Sequence, residues 1–121
     1  MGRNSNDPIL AELLPENFLH MHPDTAAKLG VREGDYVVVE SPTGKSLNIR
    51  THTTRGIRRD CVMTEHGFGY WSKELRVAYG RGTCDGHLLP ERKVEDTRKT
   101  YAYNAAYGSS ILDVCVRLRK A

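Results

Sequence analysis

The chain has 121 residues, 39% of them hydrophobic and 27% charged, which allows one domain with a buried core and is too short for two. No apolar run reaches the length that crosses a bilayer, and a net charge of +3 falls short of the basic footprint of a nucleic-acid binder. Cys61, Cys84 and Cys115 stand apart with no CxxC pair, which argues against a metal or iron–sulfur site built by this chain alone.

Residues 1–16, "MGRNSNDPILAELLPE", form a leading arm: a polar start without the basic and apolar blocks of an export signal, then a short apolar turn from Ile9 to Leu14 stopped by Pro15. "FLHMH" (18–22) alternates as a short strand. "PDTAAKLG" (23–30) reads as a compact helix, with Pro23 at its first position and Gly30 as a left-handed stop. "REGD" (32–35) is a tight turn into "YVVVES" (36–41), whose consecutive apolar residues predict a strand covered on both faces. After a hairpin turn at "PTGK" (42–45), "SLNIRTHT" (46–53) alternates with Leu47, Ile49 and Thr51 inward. "TRGIRRD" (54–60) is a basic loop anchored by Ile57, and "CVMTE" (61–65) reads as another buried strand. Residues 66–90 are a long glycine-rich loop region, residues 91–104 carry weak signals, and "ILDVCVRLR" (111–119) is a terminal strand with Leu112, Val114, Val116 and Leu118 on one face. Cys61 and Cys115 lie in strand-like apolar contexts and are expected to be buried. Short strands, one small helix and glycine turns together predict a mainly β fold, a closed or nearly closed barrel with one or two short helices, since closure removes exposed edges.

Five features could carry chemistry. Cys84, Asp85 and His87 could form a nucleophile with its base, against the plainer reading of a polar glycine-flanked turn. His20 and His22, two apart, could ligate a metal, against a structural role for both. Arg55, Arg58 and Arg59 could fork onto phosphate or be solvated loop residues, and Gly108–Ser109 matches the bond at which self-processing barrels cut. The fifth is "HGFGYWS" (66–72), followed by Gly80, Gly82 and Gly86 in "AYGRGTCDGHLL". The plain reading pins this loop into the core by Phe68 and Trp71. The sharper one sets backbone amides and aromatic rings against a flat, polar, phosphate-bearing ligand.

The order "PENFLHMHPDTAAKLGVREGDYVVVESPTGK", "TTRGIRRDCVMTEHGFGYWS", a glycine loop and a terminal "VCVRLRK" resembles the C-terminal molybdopterin dinucleotide-binding domain of the dimethyl sulfoxide reductase family. "GRNSNDPILAELLPEN" with "HGFGYWS" leans toward its polysulfide and thiosulfate reductase branch. The resemblance covers roughly residues 3 to 119 and implies a double-psi β-barrel packed over a molybdopterin guanine dinucleotide. It implies that His66, Gly67, Phe68, Gly69, Tyr70 and Trp71 run along the cofactor, and that Arg3, Asn4 and Asn6 approach it from the leading arm. Family members often carry an asparagine where Cys84 stands here, followed by Asp85; a cysteine cannot offer the paired donor and acceptor of an amide. The resemblance further implies a single domain over residues 1–121, excised from a larger oxidoreductase or, failing that, a small subunit. Its partners would be the remaining domains of that parent, with no nucleic acid and no direct membrane contact. Molybdenum or tungsten would be held by the cofactor and those other domains, and no chemistry is expected of this piece alone. A competing reading is a substrate- or adaptor-binding barrel of the AAA ATPase N-domain type, which shares the "LGVREGDYVVVE" pattern and leaves "HGFGYWS" unexplained.

Overall fold

Asp7 starts the first helix: its Oδ1 accepts from the amides of Ile9 and Leu10 at 2.9 and 3.2 Å, and Pro8 takes the position where a missing N–H costs nothing. The computed structural model describes residues 5–42, 46–88 and 114–121. Helix α1 runs Pro8–Leu13, strand β1 Leu19–Met21 and helix α2 Pro23–Leu29. His22 caps α2 by accepting the Asp24 amide on Nδ1 at 3.1 Å, and Gly30 ends it at φ 65°. Strands β2 (Tyr36–Glu40), β3 (Ser46–Thr53) and β4 (Val62–Thr64) follow, then a 3-10 turn at Asp85–Leu88 and strand β5 (Arg117–Lys120). No helix among the described residues is long and apolar enough to cross a membrane.

The five strands lie in the order β4-β1-β3-β2-β5. The eight-residue β3 serves two ladders: residues 46–50 run antiparallel to β2, and Thr51–Thr53 run parallel to β1. Switching partners along one strand curls the sheet into a half-barrel. Val37, Val38 and Val39 are all buried, as expected of a strand covered on both faces, and Leu47, Ile49 and Thr51 point inward. The core joins Leu19, Met21, Val31, Val37, Val39 and Ile49 under α2 and the 3-10 turn. Buried Thr51 anchors the turn before β2: its hydroxyl lies 2.9 Å from the carbonyl oxygens of both Arg32 and Asp35, and its amide donates to the Asp35 carbonyl.

This mainly β architecture with two short helices agrees with the sequence expectation. No ladder among the described residues joins β4 to β5. The "PTGK" turn tip (43–45), residues 91–104, Gly108–Ser109, Leu112, Arg3 and Asn4 lie outside those residues. Two expectations are corrected. Strand β4 is an edge, paired only with β1 among the described residues, so Met63 is half exposed rather than buried. Cys61 and Cys115 are exposed, because each lies outside a strand, next to the arginine turn and ahead of β5 respectively.

Candidate functional site

Segments 66–71 and 80–85, each glycine-bearing, interlock. The Gly69 amide donates to the Arg81 carbonyl at 3.0 Å, the Gly80 amide donates to the Tyr70 carbonyl at 2.8 Å, and Tyr70 bridges Tyr79. Gly69 has φ 78°, and a Cβ there would lie 2.3 Å from the Cys84 backbone nitrogen. Only glycine lets these main chains approach so closely. The Gly69 and Gly80 amides are therefore used within the chain.

Phe68 is buried and anchors the first loop, whereas Trp71 is 71% exposed, so the pinning expected of the pair falls to Phe68 alone. The Trp71 ring meets Tyr79 edge-on at 5.8 Å, and Gly80 lies beside it, where a Cβ would sit 3.7 Å from Cζ3. His66 Nδ1 lies 2.9 and 3.0 Å from the two carboxylate oxygens of Asp85, joining the start of one loop to the end of the other. Asp85 is mostly covered while His66 is half exposed. The leading arm docks alongside: Asn6 Oδ1 accepts from the amides of Val77 and Ala78 at 3.1 and 3.2 Å, holding the turn that carries Tyr79. Thr83 Oγ1 donates to the Asn48 carbonyl at 2.9 Å and fastens the second loop to β3.

The structure thus brings together Asn6, His66, Gly67, Phe68, Gly69, Tyr70, Trp71, Cys84 and Asp85. Sequence reasoning missed Tyr79 and, more seriously, Asn17, whose buried carboxamide bonds to Thr64 and Glu65, just ahead of the first loop, and to Thr83 in the second. A single asparagine before a strand carries no periodic signal, so nothing in the sequence singled it out.

The other candidates have local explanations. The imidazole partner of Asp85 is His66, not His87, and among the described residues Cys84 Sγ bonds to no histidine. His20 Nε2 pairs with Glu65 and its ring meets His52 edge-on at 5.1 Å, while His22 caps α2. No group of three metal-type ligands occurs among the described residues. Arg58 is bidentate to Asp60 at 2.6 and 3.0 Å, holding that carboxyl below its usual range, and Arg59 pairs with Asp24 at 2.8 Å.

Comparison with known proteins gives the context. The profile of the family described as molydopterin dinucleotide binding domain matches residues 1–107. The molybdopterin-containing subunit of thiosulfate reductase from Salmonella typhimurium is 36% identical over 74% of this chain and 12% of its own length. The corresponding subunit of arsenate respiratory reductase from Chrysiogenes arsenatis is 33% identical over 62% of this chain and 10% of its own. Acetylene hydratase from Pelobacter acetylenicus superposes with a TM-score of 0.68 at 19% identity, covering 96% of this chain and 16% of that one, which shows a shared fold. The chain spans about a tenth of the length of the two curated relatives named here.

Proposed function

Because this chain belongs to the molydopterin dinucleotide binding domain family, we propose that its interlocked loops, 66–71 and 80–85, form one wall of the site for a molybdopterin guanine dinucleotide. The donor set fits such a group. Guanine presents adjacent N–H donors on its pairing edge, and the Asp85 carboxylate offers two acceptor oxygens held in orientation by His66. The exposed Trp71 ring, with Tyr79 edge-on to it, offers a surface on which a flat heterocycle stacks. Asn6 spends its carbonyl on the turn bearing Tyr79, and among the described residues its NH2 has no partner and is left for the ligand; Arg3 and Asn4, outside the described residues, are added to the proposed contacts on the sequence resemblance alone. Gly67 and Gly69 shape the loop, Phe68 anchors it, Tyr70 joins it to Tyr79, and Cys84 is seated against Gly69.

When bound, the cofactor carries the metal and the redox chemistry; the residues of this chain bind and orient it. The remaining domains of a larger oxidoreductase supply the other wall and any metal ligand, and the thiosulfate reductase likeness makes a sulfur-compound reductase the favoured parent. The observation that carries the reading is the pairing of His66 with Asp85 across two loops that also expose Trp71. In an amide chemical-shift titration, guanosine diphosphate is expected to perturb residues 66–71 and 80–86. If nucleotide raised to tens of millimolar leaves those segments unmoved while a peptide shifts them, an adaptor-type barrel is the better description.

A further inference from the structure

We propose that Asn17 is a positioning residue, a buried joint that sets the distance between the two loops and so keeps His66 and Asp85 in register. This rests on the reading of those loops as the cofactor wall.

Asn17 lies between α1 and β1 and is 1% exposed. Its amide nitrogen reaches three acceptors: Thr64 Oγ1 at 3.2 Å, the Glu65 carbonyl at 3.1 Å and the Thr83 carbonyl at 2.9 Å. Its Oδ1 accepts the Thr83 amide at 2.8 Å. The carboxamide therefore pairs with Thr83 as a second peptide group would, donating to its C=O and accepting from its N–H. Thr64 and Glu65 lead directly into His66, and Thr83 is followed by Cys84 and Asp85. One side chain thus holds the roots of both loops, which are 18 residues apart between Glu65 and Thr83.

The neighbouring chain is shaped for this joint. A Cβ at Gly82 would lie 2.4 Å from Asn17 Oδ1, so the carboxamide seats against bare backbone. The residue type is also demanding. A carboxylate in its place would donate to neither carbonyl and would bring buried negative charge against two oxygen dipoles. An alanine would leave the Thr83 N–H and two carbonyls without these partners. Asn17 itself need not touch the ligand; it acts through the separation of His66 and Asp85.

The test uses the isotope-labelled 121-residue chain with guanosine diphosphate as probe. Wild-type shifts in both loops support the cofactor-wall reading; their absence overturns that reading and this assignment with it. Given wild-type binding, Asn17→Asp is expected to raise the dissociation constant about tenfold. It should also weaken the short-range cross-relaxation between Gly69 Hα and the Cys84 amide, while the methyl signals of Met21 and Ile49 stay in place. Val37→Ala, a core truncation on β2, should lower stability and leave nucleotide affinity within about twofold. Should Asn17→Asp not fold, Thr64→Val removes one acceptor and is expected to weaken binding about threefold. If the Asn17 variant keeps both the cross-relaxation and wild-type affinity, or if Val37→Ala loses affinity as steeply, Asn17 is a structural asparagine only and the assignment is overturned.

Discussion

Two glycines with the same backbone handedness separate conformational need from contact need. Gly30 has φ 65° with nothing within 4 Å of where a Cβ would stand, so its role is to end α2. Gly69 has φ 78° and the Cys84 nitrogen 2.3 Å from that point. Gly30→Ala should therefore cost only the left-handed penalty of about 1–2 kcal/mol. Gly69→Ala adds a collision with main chain, which must part the two loops. Urea midpoints are expected to fall further for Gly69→Ala than for Gly30→Ala. Amide shifts in the first variant should spread across residues 80–85, and those in the second should stay near the end of α2. Equal midpoints and local shifts in both would mean that the loops do not need their close approach.

At the scale of elements, the turn before β2 is held by carboxylates whose protonation sets an acid limit. Glu33 accepts from the Thr53 hydroxyl and amide and pairs with His52, and these bonds hold its carboxyl below its ordinary 4.5. The Arg32 amide and Lys120 do the same for Asp35, below its ordinary 3.8. A folded pKa lower than the unfolded one means that the unfolded chain binds more protons in the interval. The contribution is complete above the unfolded values and is lost as pH falls through the folded ones. Stability is expected to be flat toward neutral pH and to decline below about pH 4.5, with a shallower decline in Glu33→Gln when urea midpoints are followed against pH. These contacts were not readable in the sequence, although the elements they join were. Helix α2 announced itself by Pro23 and Gly30, and β2 by three consecutive valines. Strand β4 misled because "CVM" has the composition of a buried strand, while burial depends on which neighbours flank it; only β1 does among the described residues. The site was legible as far as "HGFGYWS" and the glycines, which are chemically conspicuous. The pairing of His66 with Asp85, the exposure of Trp71 and the role of Asn17 depend on contacts between distant residues.

For the molecule as a whole, the proposed cofactor wall belongs to a half-barrel that spans about a tenth of the length of its curated relatives. Ile9 and Leu13 on α1 and Trp71 in the first loop are 73%, 80% and 71% exposed. One wall limits affinity. Stacking of a base on an aromatic ring contributes about 1–3 kcal/mol. A good bidentate pairing to a base edge contributes about 1–3 kcal/mol more. Against that stands an association cost of at least about 4 kcal/mol, while a millimolar complex needs a net of about −4 kcal/mol. These terms leave at best about −2 kcal/mol, so the 121-residue chain should bind a guanine nucleotide no more tightly than tens of millimolar. Trp71→Ala should weaken that binding about tenfold or more while changing stability by less than about 0.5 kcal/mol, because an exposed ring has little packing to lose. Amide chemical-shift titration to high nucleotide concentration and urea unfolding on the same two proteins check both halves. Micromolar binding by the chain alone would mean that it closes around the ligand by itself, and a large stability loss in Trp71→Ala would make the ring a structural element rather than a ligand surface.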